Sequence, residues 1–120
     1  MYYKQEIGKF GEDKVSEYLI NNNYTMVHKN YRCKFGEIDL IAKDDDKNEL
    51  VFFEVKTRNN KSYGSPVEAV TKIKQKHIYK TAQCFLHRYN LEKEFVRIDV
   101  IEVYLRKNDK YFINHIKQIF

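Results

Sequence analysis

The chain of 120 residues is poor in the residues that mark several specialised classes of protein. It has no tryptophan, one proline, four glycines and two cysteines. No stretch approaches the roughly 18 apolar residues of a membrane-spanning helix, and the start, MYYKQEIGKFGED, lacks the pattern of a signal peptide. The wide separation of Cys33 and Cys84 excludes a disulfide scaffold and a CxxC zinc site, and the four histidines lack metal-binding spacing such as HExxH. We therefore expect a reduced, cytoplasmic protein.

The excess positive charge is confined to one window of the sequence. The chain carries 22 Lys and Arg against 17 Asp and Glu, for a net charge of +5. From Glu54 to Lys80 there are seven basic and two acidic residues, whereas the rest is balanced at 15 of each sign. Positive charge concentrated in this way predicts an anionic partner.

The hydrophobic pattern predicts one α/β domain over residues 1–120, with a mixed sheet flanked by helices. The predicted elements are a helix at 3–22, strands at 24–32, 37–42 and 50–56, a polar loop at 57–65, a helix from Ser65 to about Tyr89, and strands at 95–105 and 110–116. Ser65, Pro66 and Glu68 form a capping box that predicts the start of the second helix. Arg97 and Asp99 share a strand face and are predicted to be a structural pair.

The predicted hairpin of the second and third strands brings carboxylates together. If it turns symmetrically about Asp46 and Lys47, Asp39 lies opposite Glu54 and Glu37 lies opposite Lys56. Two carboxylates facing each other repel, and a hard divalent cation such as Mg²⁺ or Mn²⁺ would compensate. The alternative is a solvated sheet face with Glu37 and Lys56 as an ion pair.

The same residues carry a resemblance to known proteins. Asp39 followed by Glu54-Val55-Lys56 resembles the D…(D/E)xK signature of the restriction-endonuclease-like nuclease superfamily. Over nearly the whole chain, the sequence resembles the small bacterial YraN family in four motifs: GxxGE at Gly8–Glu12, GEIDLIA at Gly36–Ala42, FFEVKTR at Phe52–Arg58 and VTKIKQ at Val70–Gln75. That family is similar in fold to archaeal Holliday-junction resolvases.

This resemblance implies a restriction-endonuclease-like αβββαβ core and Mg²⁺- or Mn²⁺-dependent hydrolysis of DNA, with branched or junction DNA as a substrate. It also implies a homodimer, because junction-cutting enzymes of this fold act on substrates with two-fold symmetry. A non-catalytic nucleic-acid-binding protein that retains the fold is the alternative.

The resemblance assigns roles to individual residues. Asp39 and Glu54 would be metal ligands, together with the backbone carbonyl of Val55. Lys56 would orient or deprotonate the attacking water and stabilise charge on the phosphate. Glu12 matches an additional acidic residue near the metal, with a surface helix glutamate as the alternative. Ile38 stands where the name-giving motif has proline.

The second helix and the loop before it supply candidate nucleic-acid contacts. Lys74 falls within the apolar stripe of the helix, so its ammonium group either extends to the edge or meets an anion. Gln75 and Tyr79 match a QxxxY pattern of some nucleases in the superfamily, although surface packing is the alternative. The predicted nucleic-acid-binding residues are Arg58, Lys61, Lys72, Lys74, Gln75, Lys76 and Lys80.

Overall fold

The computed structural model describes residues 4–58 and 71–119, with side chains from residue 7 onward. The elements are α1 (Lys4–Asn21), β1 (Tyr24–Cys33), β2 (Gly36–Asp44), β3 (Glu49–Arg58), α2 (Lys72–Arg88), β4 (Val96–Leu105) and β5 (Tyr111–Ile116). The strands form one sheet in sequence order; β3 and β4 are parallel, and the other neighbours are antiparallel. The mixed α/β class and the predicted αβββαβ order, followed by a fifth strand, are confirmed. In these ranges no helix has both the length and the apolar character needed to cross a membrane.

Each face of the sheet packs against one helix. Phe52 and Phe53 are neighbours in β3, and both are almost completely buried because side chains alternate between the two faces of a strand. Phe53 packs in a cluster with Val15 and Leu19 of α1, whereas Phe52 packs in a second cluster with Phe85 of α2. Burial on both faces explains why the sequence of β3 is almost continuously apolar up to its charged end.

The first helix approaches β3 closely enough that only glycine fits at the contact. Gly11 is buried, and a Cβ atom added there would collide with Oγ1 of Thr57. Nothing lies within 4 Å of the corresponding position at Gly8, one turn earlier. Gly11 therefore sets the distance between α1 and the sheet, and with it the position of Glu12.

The second helix begins later than predicted. Thr71 has an extended backbone, with φ −64° and ψ 164°, and its hydroxyl accepts a hydrogen bond from Lys74 N–H at 3.2 Å. Thr71 is thus the N-cap, and a continuous helix from Ser65 is wrong. The capping box from Ser65 to Glu68 lies outside the described residues. β3 also extends further than predicted, because Thr57 and Arg58 are still in parallel pairing with β4, and the rest of the predicted polar loop lies outside the described residues.

A buried network of charged groups links the strands beside the β2–β3 turn. The Nε atom of Arg97 lies 2.9 Å from Asp99 Oδ1, which confirms the predicted pair. Nη1 of the same guanidinium donates to both Asp44 and Glu49 at 2.9 Å, and Nη2 donates to the hydroxyl of Tyr24 at 2.8 Å. Arg97 therefore joins β4 to the strands on the opposite side of β3.

Candidate functional site

The hairpin of β2 and β3 opens where the candidate ligands lie. The two strands pair from Asp44 and Glu49 to Leu40 and Phe53, which confirms the predicted register. Asp39 lies one residue beyond the last pair. From there β2 is paired with β1, and β3 is paired with β4. The parting of these strands creates a cleft in the sheet.

At this opening, the Asp39 carboxylate accepts a hydrogen bond from the backbone of β3. Val55 N–H donates to Asp39 Oδ2 at 2.8 Å. Burial and the neighbouring charge of Glu54 raise the pKa of Asp39 to about 7, although the hydrogen bond from Val55 acts in the opposite direction. The Glu54 side chain is only 8% exposed, so the two carboxyl groups share a largely desolvated environment.

Two lysines from different elements neutralise Glu54. Nζ of Lys56 in β3 lies 3.2 Å from Glu54 Oε1, and Nζ of Lys74 in α2 lies 2.7 Å from the same oxygen. Burial and hydrogen bonding to Lys74 lower the pKa of Lys56, despite the opposing effect of Glu54. For Lys74, burial acts to lower the pKa, but its hydrogen bonds and the negative charges of Glu54 and Asp39 together outweigh burial, and the pKa is raised. Of the two predicted arrangements of Lys74, the structure shows the one in which its ammonium group meets an anion, the carboxylate of Glu54.

The cleft has a volume of about 300 Å³ and two different walls. Asp39, Glu54 and the Gly36–Glu37 segment line it from the strands, and α2 contributes Lys74 and His77. His77 did not emerge from the sequence, although it follows Lys74 by three residues and so lies on the same helix face. The result is a cavity with acidic and basic groups within reach of one another.

Glu12 lies close enough to influence these groups. Burial raises its pKa, a hydrogen bond from Asn30 opposes this, and the charge of Glu37 adds to the rise. Its charge also helps to raise the pKa of Asp39. Within residues 7–58 and 71–119, however, no three His, Cys, Asp or Glu side chains are grouped closely enough to hold a metal ion. An ion at this site would therefore rely on two carboxylates and on ligands of other kinds.

The alternative ion pair across the hairpin does not form. Glu37 pairs with Arg32 of β1 at 2.8 Å instead of with Lys56. The reason is that β2 pairs with β3 only from Leu40 onward. At Glu37, the only described strand paired with β2 is β1. The interpretation of this face as a simple solvated ladder is wrong.

Comparison with known proteins identifies the family. Residues 11–103 match the sequence profile of the uncharacterised protein family UPF0102. The chain belongs to this family. It is 48% identical to a UPF0102 protein of Clostridium botulinum (strain Loch Maree / Type A3) over 121 residues, covering 99% of this chain and 97% of the relative. It is 44% identical to a UPF0102 protein of Caldicellulosiruptor saccharolyticus over 118 residues, covering 98% of each chain.

Membership of UPF0102 confirms the resemblance to the YraN family. The matched segment contains Glu12, Asp39, Glu54, Lys56 and Lys74, so the whole candidate site lies within it. It ends in β4, before β5 begins.

In this UPF0102 protein, Arg58 is held against the sheet. Its Nε atom lies 2.9 Å from Glu102 Oε2, and the Glu102 side chain is completely buried. Tyr104 and Asn114 donate to the other carboxylate oxygen at 2.6 and 3.3 Å. The sequence did not reveal Glu102 as a partner, although a glutamate within the apolar run of β4 was a signal for a buried pair. Lys61 lies outside the described residues.

The remaining predicted nucleic-acid contacts lie along α2. Lys72 and Lys76 are exposed and Lys80 is half-buried, with its Nζ 5.5 Å from the centre of the Phe35 ring. Their spacing of four residues places them in one row on the helix. Gln75 lies beside this row and is half-buried. These residues occupy the helix that also supplies Lys74 to the cleft.

Proposed function

We propose that this protein is a divalent-metal-dependent endonuclease that hydrolyses phosphodiester bonds in DNA. The supporting observation is the convergence of Asp39 and Glu54 in a cleft where two strands part, with Lys56 in contact with Glu54. A carboxylate pair suits a hard cation, and a lysine with a lowered pKa suits proton transfer. The D…ExK pattern of these residues also supports a place in the restriction-endonuclease-like superfamily.

The residues present fit Mg²⁺ or Mn²⁺. Asp39 and Glu54 supply carboxylate oxygens, and Mg²⁺ in proteins uses one or two carboxylates and keeps several waters. The N–H and C=O groups of a residue in an extended strand point to the same side. Because Val55 N–H points to Asp39, the Val55 carbonyl also faces the opening and is the proposed third ligand. A bound ion would polarise the phosphate and activate water.

The two lysines have separate roles in this proposal. Lys56 lies on the same strand face as Glu54, and its lowered pKa favours release of its proton, so it accepts a proton from the attacking water or orients that water. Lys74 is 42% exposed and carries a raised pKa, so it stays charged and binds the phosphate. A cation on Glu54 would compete with both ammonium groups for the carboxylate and turn them toward the substrate.

The substrate surface follows from the basic residues. Arg58 continues the face of β3 beyond Lys56, while Lys72, Lys76 and Lys80 extend along α2. Contacts from such residues to phosphates give affinity without sequence preference. Glu12 would assist near the metal. We include branched DNA among the proposed substrates and a homodimer as the proposed assembly, because the resolvase resemblance implies both.

Cleavage assays test the proposal. Supercoiled plasmid, a hairpin and a four-way junction are incubated with the protein and Mg²⁺ or Mn²⁺. We expect 5′-phosphate and 3′-hydroxyl ends. Asp39→Asn, Glu54→Gln and Lys56→Met should each reduce the rate at least about 100-fold. The matched control is Asp45→Asn in the exposed turn. Absence of metal-dependent cleavage of all three substrates, or equal rates in these variants and wild type, contradicts the proposal.

A non-catalytic nucleic-acid-binding protein is the second candidate. It is favoured by the neutralisation of Glu54 by two lysines and by the lack of a three-ligand group in the part of the chain that the structure describes. This candidate predicts DNA binding that weakens steeply with salt and is unchanged by Asp39→Asn or by a chelator. The nuclease proposal instead predicts that divalent ions strengthen binding in wild type but not in Asp39→Asn.

A further inference from the structure

Two cysteines that are remote in sequence meet between β1 and α2. Cys33 ends β1 and pairs across the turn with Gly36. A Cβ atom added at Gly36 would lie 3.3 Å from Oγ1 of Thr81, one turn before Cys84 in α2. The β1–β2 turn is therefore seated on this turn of the helix. Both thiols are half-buried against the same core cluster, and each thiol shifts the pKa of the other. Distance along the chain excluded a disulfide scaffold, but the fold brings the two cysteines to the same core cluster.

The two thiols differ in their surroundings. Phe35 N–H donates to Cys33 Sγ at 3.4 Å. Burial acts to raise the pKa of Cys33, but hydrogen bonds from Phe35, Cys84, Thr81 and Gly36 together outweigh burial, and the pKa is lowered. The pKa of Cys84 is raised, first by its hydrogen bond to Cys33. Cys33 is thus the better thiolate of the pair.

Two lysines lie beside the β1–β2 turn that follows Cys33. Nζ of Lys34 lies 5.2 Å from the centre of the Phe35 ring, and Nζ of Lys80 lies 5.5 Å from it. Phe35 is also the residue whose N–H binds Cys33, so both ammonium groups lie around the β1–β2 turn. Reactive cysteines occupy partly exposed, electropositive surroundings of this kind, whereas structural cysteines are enclosed by apolar groups.

We propose that Cys33 and Cys84 are a redox-active dithiol that closes to an intramolecular disulfide by exchange with a low-molecular-weight disulfide. The Cys33 thiolate attacks one sulfur of the reagent, whose S–S bond breaks and releases one thiolate. The Cys84 thiolate then attacks Cys33 in the mixed disulfide and releases the second. The protons of the two cysteines end on the two released thiols, so the protein is oxidised by two electrons and the reagent is reduced by two.

The new bond would join the two walls of the cleft. Gly36 and Glu37 follow Cys33 on the strand wall, and His77 precedes Cys84 by two turns on the α2 wall. Oxidation would therefore fix α2 against the β1–β2 turn. This modification does not depend on nuclease activity, because it rests on the thiol pair alone.

Exchange with oxidised glutathione tests the proposal. Reduced native protein is incubated with the reagent, quenched with acid, alkylated and examined by intact-mass and peptide mass spectrometry. Wild type should become a monomer lighter by two hydrogen atoms, with the Cys33 and Cys84 peptides linked. Cys84→Ser should stop as a glutathione adduct on Cys33. Cys33→Ser should react more slowly than Cys84→Ser, because Cys33 accepts the backbone hydrogen bond from Phe35 N–H that stabilises a thiolate.

Wild type supplies a test that is independent of the variants. Its native form should close faster than the same chain unfolded in guanidinium chloride, since folding holds the thiols together. The proposal is overturned by two separate glutathione adducts on native wild type, by disulfides that link different chains, or by closure no faster than in the unfolded chain. Equal rates in Cys33→Ser and Cys84→Ser, with both variants folded by circular dichroism, would also overturn it.

Discussion

Lys56 and Lys74 place their ammonium groups against one oxygen atom, Oε1 of Glu54, at 3.2 Å and 2.7 Å. One carboxylate thus holds two like charges together at the cleft. The pKa values of the two lysines depend on one another, so changing either lysine alters the other.

Replacement of Lys74 should raise the pKa of Lys56. In Lys74→Met, the neighbouring positive charge disappears and Glu54 interacts with Lys56 alone, while burial of Lys56 persists. Titration of the lysine side chains by NMR measures the change directly. The control is Lys72→Met, which removes an exposed charge from the start of the same helix. A Lys56 pKa that is the same in Lys74→Met and wild type would show that the two ammonium groups are not coupled.

Asp39 should make the metal-free protein less stable as the pH rises from about 4 to 7. Its pKa in the folded state is about 7, whereas in the unfolded chain it is about 3.9. In this interval the folded protein holds the proton and the unfolded chain does not, so the free energy of unfolding falls by up to about 1.4 kcal/mol per pH unit. Asp39→Asn should remove this contribution while leaving an oxygen to accept from Val55 N–H.

Urea denaturation in a chelator, at several pH values, checks this prediction. The stability difference between Asp39→Asn and wild type should grow toward pH 7, and Asp45→Asn should show no such trend. A difference that is independent of pH counts against a raised pKa. If Mg²⁺ or Mn²⁺ binds as proposed, saturating ion should reduce the trend in wild type, because metal binding requires the ionised carboxylate.

Gly11 and Gly8 should respond in opposite ways to alanine. Gly11→Ala should lower the free energy of unfolding by about 1–3 kcal/mol, because its methyl group collides with Thr57 in a buried contact. Gly8→Ala should be neutral or stabilising by up to about 1 kcal/mol, because open space surrounds it and alanine favours the helix. Thermal and chemical denaturation measure both. Thr57→Ala should recover part of the loss in Gly11→Ala; losses that simply add would argue against the contact.

Loss of Arg97 should be the most damaging of these changes to stability. Arg97→Met leaves Asp99 and Asp44 buried without their cation, at a cost of about 3–5 kcal/mol. Arg32→Met, which removes only an exposed pair with Glu37, should change stability by no more than about 1 kcal/mol. Chemical denaturation of both variants compares the two, and similar losses would contradict the assigned burial.

Local periodicity was enough to predict much of the fold. The apolar runs located all five strands, and the acidic turn around Asp46 determined the register of β2 and β3. The register placed Asp39 and Glu54 side by side because the side-chain period of a strand is two residues. Lys74 emerged for a similar reason, as a charge within an apolar helix stripe.

The features that the sequence did not predict depend on how elements pack. The start of α2 was misplaced because Ser65 and Thr71 both carry cap-forming hydroxyls, and propensity alone does not choose between them. The parting of β2 from β3 depends on how far β2 follows β1 and β3 follows β4 on their other edges. The meeting of Cys33 and Cys84 depends on where α2 lies on the sheet, which no local pattern specifies.

The Asp39 carboxylate accepts a hydrogen bond from Val55 N–H, which a backbone carbonyl of a neighbouring strand would otherwise accept. Asp39 therefore has a structural role in the sheet. Alanine at position 39 would strip a partly buried amide of its acceptor, at a cost of about 1–3 kcal/mol. Asparagine would spare that bond and remove only the charge. Inactivity of the alanine variant could therefore come from lost stability or from the lost carboxylate. The asparagine variant separates these two effects.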